Sequence, residues 1–461
     1  LNANNENGSI MVMTKAKNYH NWYGLVSTYN TKLTKDIDFY GGVDFRFYKG
    51  THTNDIVDLY GGKYFIDSTR KSVKPENNAN AANQSWVYQK LGVGDAVYRD
   101  YDGHVVQEGA FFQAEYSKNG LSSFLSGSLS NTSYWRYDRL YYDKKNAESE
   151  TKNYLGFTVK GGANYNFNEH HNAFFNVGYI SRAPKFNYGA FLSFASSNVT
   201  NPDAKNEKVV SFELGYGYRL KWLQVDVNAY WTKWLDKTMA KSSTVGTAQV
   251  DAFVNMTGVN ALHKGIEIEA KASPLYWLDV NAMFSIGDWK WDSNAKGYVF
   301  DYNGQPLTKD GSIASGIGAE DHLSTGINLK GIHVGGAAQT TAALGATIKI
   351  GKEIRIGADW TLYARNYAYY SISGSNLSLG KTNTVADPWR VPTASQFDLN
   401  ASYKFKIAGL NATISGNVNN LFDYQYLGKV WNPSSGTATK DNIYGFYAFG
   451  RTFSTRLKIN F

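Results

Sequence analysis

Apolar and polar residues alternate with a period of two along much of this chain. Near the C-terminus, polar residues separate apolar ones at every second position, namely Phe397, Leu399, Ala401, Tyr403, Phe405 and Ile407. The same spacing recurs over residues 212–220, 223–231, 412–418 and 453–461. Because successive side chains of a β-strand point to opposite faces, each segment predicts a strand with one apolar and one polar face.

The length of these segments indicates what surrounds them. Strands of soluble proteins average about 5–6 residues, whereas most of the alternating segments here are at least twice as long. A tilted strand needs about 9–11 residues to span a bilayer, so we predict membrane-spanning strands. About fifteen are expected, near residues 19–33, 36–48, 106–117, 120–136, 152–166, 170–182, 207–219, 222–237, 262–272, 275–289, 338–350, 353–366, 394–407, 409–420 and 448–461.

The connections between these strands alternate between tight and long. Tight turns are predicted at Thr34–Lys35, Lys118–Asn119, Phe167–Glu169, Lys221, Ser273–Pro274, Gly351–Lys352 and Ala408. Long loops are predicted at about 49–105, 137–151, 183–206, 238–261, 290–337, 367–393 and 421–447. A soluble sandwich would have no reason to separate its loops in this way, whereas outer-membrane barrels place short turns in the periplasm and long loops outside. The predicted fold is therefore all-β, a transmembrane antiparallel up-and-down β-barrel.

The predicted barrel determines which face of each strand points to lipid and which points to the lumen. Apolar positions should face lipid, among them Leu399, Tyr403, Ile414, Leu457 and Ile459, with Lys404, Thr413 and Lys458 pointing inward. Charged residues of the polar faces should line the lumen, including Asp226, Glu267, Glu269, Arg355 and Asp359. Aromatic residues at strand ends predict two interfacial girdles. These are Trp222, Tyr276 and Trp277 on the short-turn side and Trp135, Trp234, Trp289 and Trp291 on the long-loop side.

Composition agrees with this prediction and removes several alternatives. The chain has 461 residues with 34 Tyr, 25 Phe and 12 Trp, and its 44 Gly against 8 Pro suit long strands joined by many turns. It contains no run of 18 apolar residues, which excludes helical membrane spans. Cysteine is absent, so disulfides and thiolate metal sites are excluded. The net charge of +8 is not concentrated in a basic block, and no nucleic-acid partner is expected.

Motifs that would indicate an enzyme, a metal or a cofactor are weak. Gly374 and Gly380-Lys381-Thr382 superficially resemble a phosphate loop, but five residues separate the glycines where the motif allows four. Asp301 to Gly304, followed by Asp310, could ligate calcium, although a polar turn is the simpler interpretation. His170 and His171 fall in a predicted turn, and no catalytic constellation can be assembled from spacing. We therefore predict no catalytic residues, no metal site and no cofactor.

Three stretches resemble TonB-dependent receptors of the outer membrane. Val418 to Tyr426 (VNNLFDYQY) is similar to the family's "NLFD..Y" segment, and the strand that starts at Gly450 and ends at Phe461 resembles its aromatic-terminated last strand. Residues 181–184 (SRAP) and 201–207 (NPDAKNE) resemble the family's "FRAP" and "NPNL.PE" boxes, with Ser181 and Asn206 departing from the usual Phe and Pro.

This resemblance implies a barrel of 22 strands around an N-terminal plug. Residues 1–461 would then be the C-terminal part of the barrel domain, with about fifteen strands present and with the plug and the TonB-contacting segment absent. Residues 1–18 would be the tail of an external loop, and the first and last strands should not pair with each other. The implied partners are the inner-membrane TonB complex through the missing N-terminal portion, lipid and lipopolysaccharide, and the barrel-assembly machinery through the strand ending at Phe461. The implied location is the bacterial outer membrane.

The expected function is that of an energy-coupled receptor that imports a scarce nutrient, such as a metal chelate or a small cofactor. Candidate ligand contacts are aromatic and basic residues of the external loops, namely Trp86, Arg99, Trp389, Arg390 and Trp431, which could equally pack the loops on one another. Haem receptors of the family carry a histidine between the two boxes, and residues 185–200 contain none. The alternatives are a passive, porin-like channel of about sixteen strands, a glycan importer, whose long C-terminal tail motif is missing, and an outer-membrane enzyme.

Overall fold

The computed structural model describes residues 7–192, 198–301, 303–370, 377–433 and 437–460. Strands dominate these residues, with one short 3₁₀ helix, Ser68–Ser72, and one short α-helix, α1, Gln84–Val87. The described strands are β1 (Met13–Thr34), β2 (Ile37–Asp58), β3 (Ala96–Lys118), β4 (Leu121–Asp138), β5 (Lys152–Asn166), β6 (His171–Arg182), β7 (Glu207–Arg219), β8 (Leu223–Val245), β9 (Val250–Leu275), β10 (Leu278–Trp291), β11 (Ala295–Asp301), β12 (Ser324–Asn328), β13 (Ala338–Ile350), β14 (Ile354–Tyr367), β15 (Thr382–Thr384), β16 (Arg390–Val391), β17 (Ala394–Ile407), β18 (Leu410–Asn419), β19 (Leu427–Trp431), β20 (Tyr444–Tyr447) and β21 (Thr452–Asn460).

Fifteen of these strands form one antiparallel wall. Strands β1 to β10 pair in chain order, and β13, β14, β17, β18 and β21 continue the series. This confirms the predicted meander, and β5, β7, β13 and β17 have the predicted bounds. Over the described ranges β1 pairs with β2 and β21 with β18, and no pairing joins β1 to β21. Phe461 lies outside the described residues.

The two faces of the wall differ in chemistry. Tyr403, Ile414 and Leu457 are register neighbours on three adjacent strands and are 47%, 47% and 58% exposed. Leu399 belongs to the same exposed apolar face, and Ile459 is partly exposed there. Large apolar side chains exposed in this way are normal in a hydrocarbon solvent and unusual in water. The predicted lipid face is confirmed.

The opposite face of the wall carries a network of polar side chains. Glu213 accepts hydrogen bonds from the amides of Asn176 (3.0 Å) and Asn228 (2.6 Å) on the two neighbouring strands. Arg219 donates to Asp226 at 2.7 Å on the same face. These hydrogen bonds pair the polar groups of neighbouring strands with one another, in agreement with a face that points to the lumen.

Several strands continue well beyond the predicted membrane segment. Residues 238–261 were expected to form a long loop, but β8 and β9 pair through this region and turn only at residues 246–249. Likewise, β2 extends to Asp58, β3 begins at Ala96, and β1 already begins at Met13 instead of after residue 18. The loop prediction was wrong at these places. A strand pair surrounded by water can form without the strict apolar–polar alternation of a lipid-facing strand, so the sequence pattern does not reveal it.

A hydrophobic core lies beyond the long-loop end of the wall. It is built from the outer parts of β8 and β9, from β11 and β12, and from the segments around Leu307 and Leu329, and we call this region the external cap. Its buried residues include Val254, Met256, Val299 and Ile327, each fully buried. The external cap is thus packed in the manner of a small water-soluble domain.

The girdle predicted on the long-loop side is only partly present. Trp135 lies on the apolar outer face, where it stacks on His104 with ring centroids 4.8 Å apart. Trp289 points to the luminal face and donates its indole N–H to Tyr230 at 2.8 Å. Trp234 and Trp291 lie beside luminal or cap residues instead of lipid. The prediction was wrong for these three residues because an aromatic at a strand end was read without regard to which face it occupies. Among the described residues, no helix has the length and apolarity required to cross a membrane.

Candidate functional site

The two boxes that flank the β6–β7 connection are joined directly. The guanidinium of Arg182, at the end of β6, donates to the carboxylate of Glu207, at the start of β7, through Nη2 (2.7 Å) and Nε (3.2 Å). The Arg182 guanidinium also lies 5.5 Å from the ring centre of Trp234 on β8. Because the Glu207 side chain is only 3% exposed, this ion pair fixes the base of the intervening loop.

Hydrogen bonds within the loop hold its first half in a defined conformation. The amide of Ala190 donates to the carbonyl of Lys185 (2.7 Å), and the amide of Asn201 Nδ2 donates to the carbonyl of Gly189 (2.8 Å). Between them Tyr188 has a φ of 63°, in the left-handed region that non-glycine residues rarely adopt. The loop therefore presents Lys185 and Tyr188 from a fixed backbone.

A break in the β8–β9 ladder reorients the next lining segment. The register jumps between Trp234 and Lys237 and again before Met239, and Asp236 has a φ of 57°. Asp236 is held in place by Lys208, whose ammonium donates to it at 2.6 Å. Beyond the break, Lys237 and Lys241 are four residues apart and point to the same side of β8.

These segments enclose a cavity of about 570 Å³ at the long-loop end of the wall. It lies between the β6–β7 loop, the outer part of β8, the end of β10 and the segments that precede β13 and follow β14. Its described lining residues are Lys185, Asn187, Tyr188, Gly189, Glu207, Lys237, Thr238, Met239, Ala240, Lys241, Ser242, Trp291, Val334, Gly335, Tyr369 and Tyr370. This size and this mixture of aromatic and polar groups are typical of small-molecule sites.

The electrostatics of the cavity favour an anion. Three lysines face it, against one carboxylate, Glu207, which Arg182 already engages. Burial lowers the pKa of Lys237, and the nearby cations Lys185 and Arg182 lower it further, against the opposing charge of Glu207. Burial also lowers the pKa of Lys241. A negatively charged ligand would relieve this unfavourable accumulation of positive charge.

Three polar atoms of the lining have no hydrogen-bond partner within the described part of the chain. They are Trp291 Nε1, Thr238 Oγ1 and Asn187 Oδ1. Trp291 is only 8% exposed, so its indole N–H is kept from bulk water. A buried donor without an acceptor costs about 1–3 kcal/mol. A ligand with acceptor oxygens would remove that cost.

Two of the predicted ligand contacts, Trp86 and Arg99, lie between the end of β2 and the outer part of β3. They are not among the described lining residues of this cavity. The Trp86 ring lies under the guanidinium of Arg70, 5.1 Å from its centre, and the Trp86 carbonyl accepts from the same group. Arg99 is partly buried on β3. Both residues are built into the external loops, and their role as ligand contacts stays a prediction.

The other three predicted residues cluster around the last long loop. Trp389 packs against Ala368, Val391 and Val430, and its backbone N–H donates to Asn432 Oδ1 at 3.0 Å. Trp431 stacks on Tyr444 with ring centroids 5.9 Å apart. Arg390, which follows Trp389 in the chain, is exposed on β16. Trp431 forms a β-bridge with Tyr369, the nearest of these contacts to the cavity. As ligand contacts, these residues also stay a prediction.

Sequence reasoning missed the lysines and Trp291. The sequence predicts a loop over residues 238–261, so the shared face of Lys237 and Lys241 is not visible in it, and it predicts Trp291 in the lipid girdle. A spacing of four between two lysines in a strand-forming segment was the available signal. Nothing in the sequence brings residues 185–189, 237–242 and 369–370 together.

The weaker motifs have ordinary structural roles. Asp301 Oδ1 accepts from the backbone N–H groups of Asn303 and Gln305 (2.8 Å each), which makes this segment a polar turn. His170 Nδ1 contacts the carbonyl of Arg219 in a short turn. Gly374 and Tyr302 lie outside the described residues. Across the described ranges, no group of three or more His, Cys, Asp or Glu side chains is arranged to hold a metal ion.

The NLFD-type segment closes the last strand pair but one. Asn420, with a φ of 51°, donates its backbone N–H to Asp398 Oδ1 (2.7 Å) and accepts from the backbone N–H of Tyr424 (2.9 Å). Asp423 then accepts from the backbone N–H of Arg451 at 2.7 Å. This segment is a structural turn that follows β18 and is held against the residue before β21 by a hydrogen bond.

Comparisons with known proteins agree on the fold. A family model described as "TonB dependent receptor-like, beta-barrel" matches residues 2–421. A search of the curated proteins found no match. Among solved structures, the copper transporter OprC has a TM-score of 0.60 at 15% identity, over 97% of this chain and 57% of that one. The siderophore receptor PiuA from Acinetobacter baumannii has a TM-score of 0.57 at 15% identity, over 96% and 56%.

The ferric yersiniabactin uptake receptor FyuA from Yersinia pestis matches with a TM-score of 0.56 at 13% identity, over 97% of this chain and 55% of that one. At these identities the structural likeness shows the fold. The chain spans a little over half the length of each of these three structures.

Proposed function

Because the chain belongs to the TonB-dependent receptor-like β-barrel family and lies in the bacterial outer membrane, we propose that the protein captures a scarce nutrient outside the cell and imports it. The inner-membrane TonB complex supplies the energy. Lipid and lipopolysaccharide surround the wall, and the barrel-assembly machinery inserts it through the C-terminal strand, β21. The matched structures, described as transporters and receptors, support this assignment.

The external cavity carries the proposal. Lys185, Lys237 and Lys241 offer charged donors, and the Trp291 indole N–H offers a buried one, in a space of about 570 Å³. Such a site suits a small ligand with several acid oxygens, which is the chemistry of a metal chelate or a small acidic cofactor. Trp86, Arg99, Trp389, Arg390 and Trp431 are proposed as later or additional contacts on the external loops.

Uptake in whole cells tests the energy coupling. Cells that express the protein are supplied with radiolabelled iron chelates or cobalamin, with and without the TonB complex. Uptake is expected only when the complex is present. Uptake that continues unchanged without it, or single-channel conductance from the intact protein, would support the passive, porin-like channel instead.

Substitutions in the cavity test the site. Hydrogen bonds to charged groups contribute about 1.5–3 kcal/mol each, so the double variant Lys237→Gln/Lys241→Gln should weaken cell-surface binding about a hundredfold or more. Lys330→Gln is the matched control, because Lys330 is an exposed lysine near the external cap that is not among the described lining residues. Equal binding by the double variant and the control would reject this cavity as the site.

A further inference from the structure

Two histidines and a tyrosine meet on the luminal face of the first strand pair, at the outer end of its predicted membrane-spanning segments. His20 lies on β1, and Tyr48 and His52 lie on β2. His20 Nδ1 and the Tyr48 hydroxyl are 2.6 Å apart, and the two imidazole centroids are 6.1 Å apart. We call these three residues the β1–β2 histidine cluster. It belongs neither to the external cavity nor to the polar network of the wall.

A neighbouring amide fixes which nitrogen of His52 is available. Asn18 Oδ1 lies 2.7 Å from His52 Nδ1. An amide oxygen only accepts hydrogen bonds, so Nδ1 carries the proton and Nε2 keeps its lone pair. An imidazole held in this way by an oxygen acceptor is the usual arrangement around a metal-ligating histidine.

Aromatic contacts hold the other rings. The Trp22 ring lies 4.7 Å from the ring of Tyr48, and the Tyr101 ring lies 5.1 Å from that of His52. These contacts restrict the rotation of two of the three donor side chains. The cluster is therefore partly preorganised.

Gly50 leaves the space into which the donor atoms point. It sits directly opposite His20 in the strand register. A Cβ at this position would lie 3.0 Å from His52 Nε2 and would clash with the Tyr48 hydroxyl. The absence of a side chain at residue 50 thus keeps a small gap among imidazole and phenol donors.

We propose that His20, Tyr48 and His52 bind one divalent transition-metal ion of the copper, nickel or zinc type. Imidazole nitrogen with one oxygen donor suits these ions, whereas calcium and magnesium require carboxylate and carbonyl oxygens that the cluster lacks. The third donor is a phenol, a type of ligand outside the His, Cys, Asp and Glu groups considered above. This proposal does not depend on the transport function.

Copper titration of the protein, purified in detergent without a polyhistidine tag, tests the site. Electron paramagnetic resonance at one equivalent of Cu²⁺ should show coupling to two imidazole nitrogens, and His20→Gln or His52→Gln should reduce this to one. Tyr48→Phe should keep both nitrogens and bind Cu²⁺ more weakly. Asn18→Ala removes only the orienting oxygen and should weaken binding about ten- to a hundredfold.

Two comparisons between matched variants distinguish a specific site from nonspecific copper binding. Gly50→Ala should abolish high-affinity binding although every donor remains, whereas Gly24→Ala, whose Cβ would meet nothing closer than 3.5 Å, should have no effect. His171→Gln removes a histidine that also contacts a tyrosine hydroxyl, that of Tyr216, but on the opposite rim, and should leave binding unchanged. Unchanged binding in Gly50→Ala, or a comparable loss in His171→Gln, would overturn the proposal.

Discussion

The wall exposes large apolar side chains on its surface, whereas the external cap buries the same kinds of side chain in its interior. Leu214 on the wall is 63% exposed, whereas Ile327 in the external cap is fully buried. The contrast occurs even within β9, where Ile266 is 47% exposed, whereas Ala252, Phe253 and Val254, three consecutive residues nearer the cap that cover both faces, are all buried. Apolar surface is removed from water in both regions, by lipid in one and by neighbouring side chains in the other. The change of pattern along β9 therefore locates the boundary between lipid and water.

The largest effect is expected from a cavity in the external cap. Phe300 is fully buried, and Phe300→Ala should destabilise the external cap by about 3–5 kcal/mol because a cavity replaces packed side chains. Hydrogen exchange should accelerate at amides of β11 and β12 and stay slow in the wall. Phe212→Ala, at a 51% exposed position of the wall, is the control and should leave exchange in the external cap unchanged. Faster exchange throughout the wall would show that the two regions unfold together.

The next largest effect is expected from a charge on the lipid face. Leu214→Arg should destabilise the protein in phospholipid vesicles by about 2–4 kcal/mol, since the guanidinium must be moved into hydrocarbon. Ser211→Arg places the same side chain on the luminal face of the same strand, where Ser211 contacts Thr232 at 2.9 Å. Urea unfolding in vesicles measures both, and equal losses would contradict the assignment of the two faces.

The short-turn ends of the wall strands could be predicted to within about three residues, because hydrocarbon imposes alternation on every strand that crosses it. The outer ends of β2, β3, β8 and β9 lie well beyond the predicted ones. The external cap could not be predicted. In β9, Ala252, Phe253 and Val254 are consecutive and all buried, so the period of two disappears where packing covers both faces. The cavity was hidden for a further reason. Lys185, Lys237 and Tyr370 lie on segments that are distant in sequence, and no local sequence pattern indicates that they meet.

A smaller effect, a dependence of local stability on pH, is expected at the outer end of the wall. Burial raises the pKa of Asp138, at the outer end of β4, to about 6, although the backbone N–H groups of Tyr141 and Leu140 and the charge of Arg136 oppose the shift. A carboxyl group whose pKa is higher in the folded state binds its proton more tightly when folded. Local stability should therefore be greatest below pH about 4 and fall as the pH rises to about 6, by about 3 kcal/mol.

Hydrogen exchange at the amides of Leu140 and Tyr141, corrected for intrinsic rates, measures this dependence. Asp138→Asn keeps the accepting oxygen and should flatten the profile. A profile that stays steep in the variant would assign the titration to another group.

The smallest effect is expected on the polar face of the wall. Asn228→Ala removes the 2.6 Å hydrogen bond to Glu213 in a region open to water, and should cost only about 0.5–1.5 kcal/mol. Urea unfolding in the same vesicles measures the loss. A cost as large as that of Leu214→Arg would mean that the luminal face is as tightly packed as the external cap.

The conformation of Tyr188 has a consequence for kinetics. A residue in the left-handed region costs roughly 1 kcal/mol or more, and the hydrogen bonds on either side of it hold the loop in this form with the cavity empty of protein atoms. A molecule that enters therefore meets a surface already in place, so its rate of association follows collision frequency and does not wait for the loop to order. With the association rate constant set by collision, differences in occupancy between solutes at the same low concentration then follow from their dwell times.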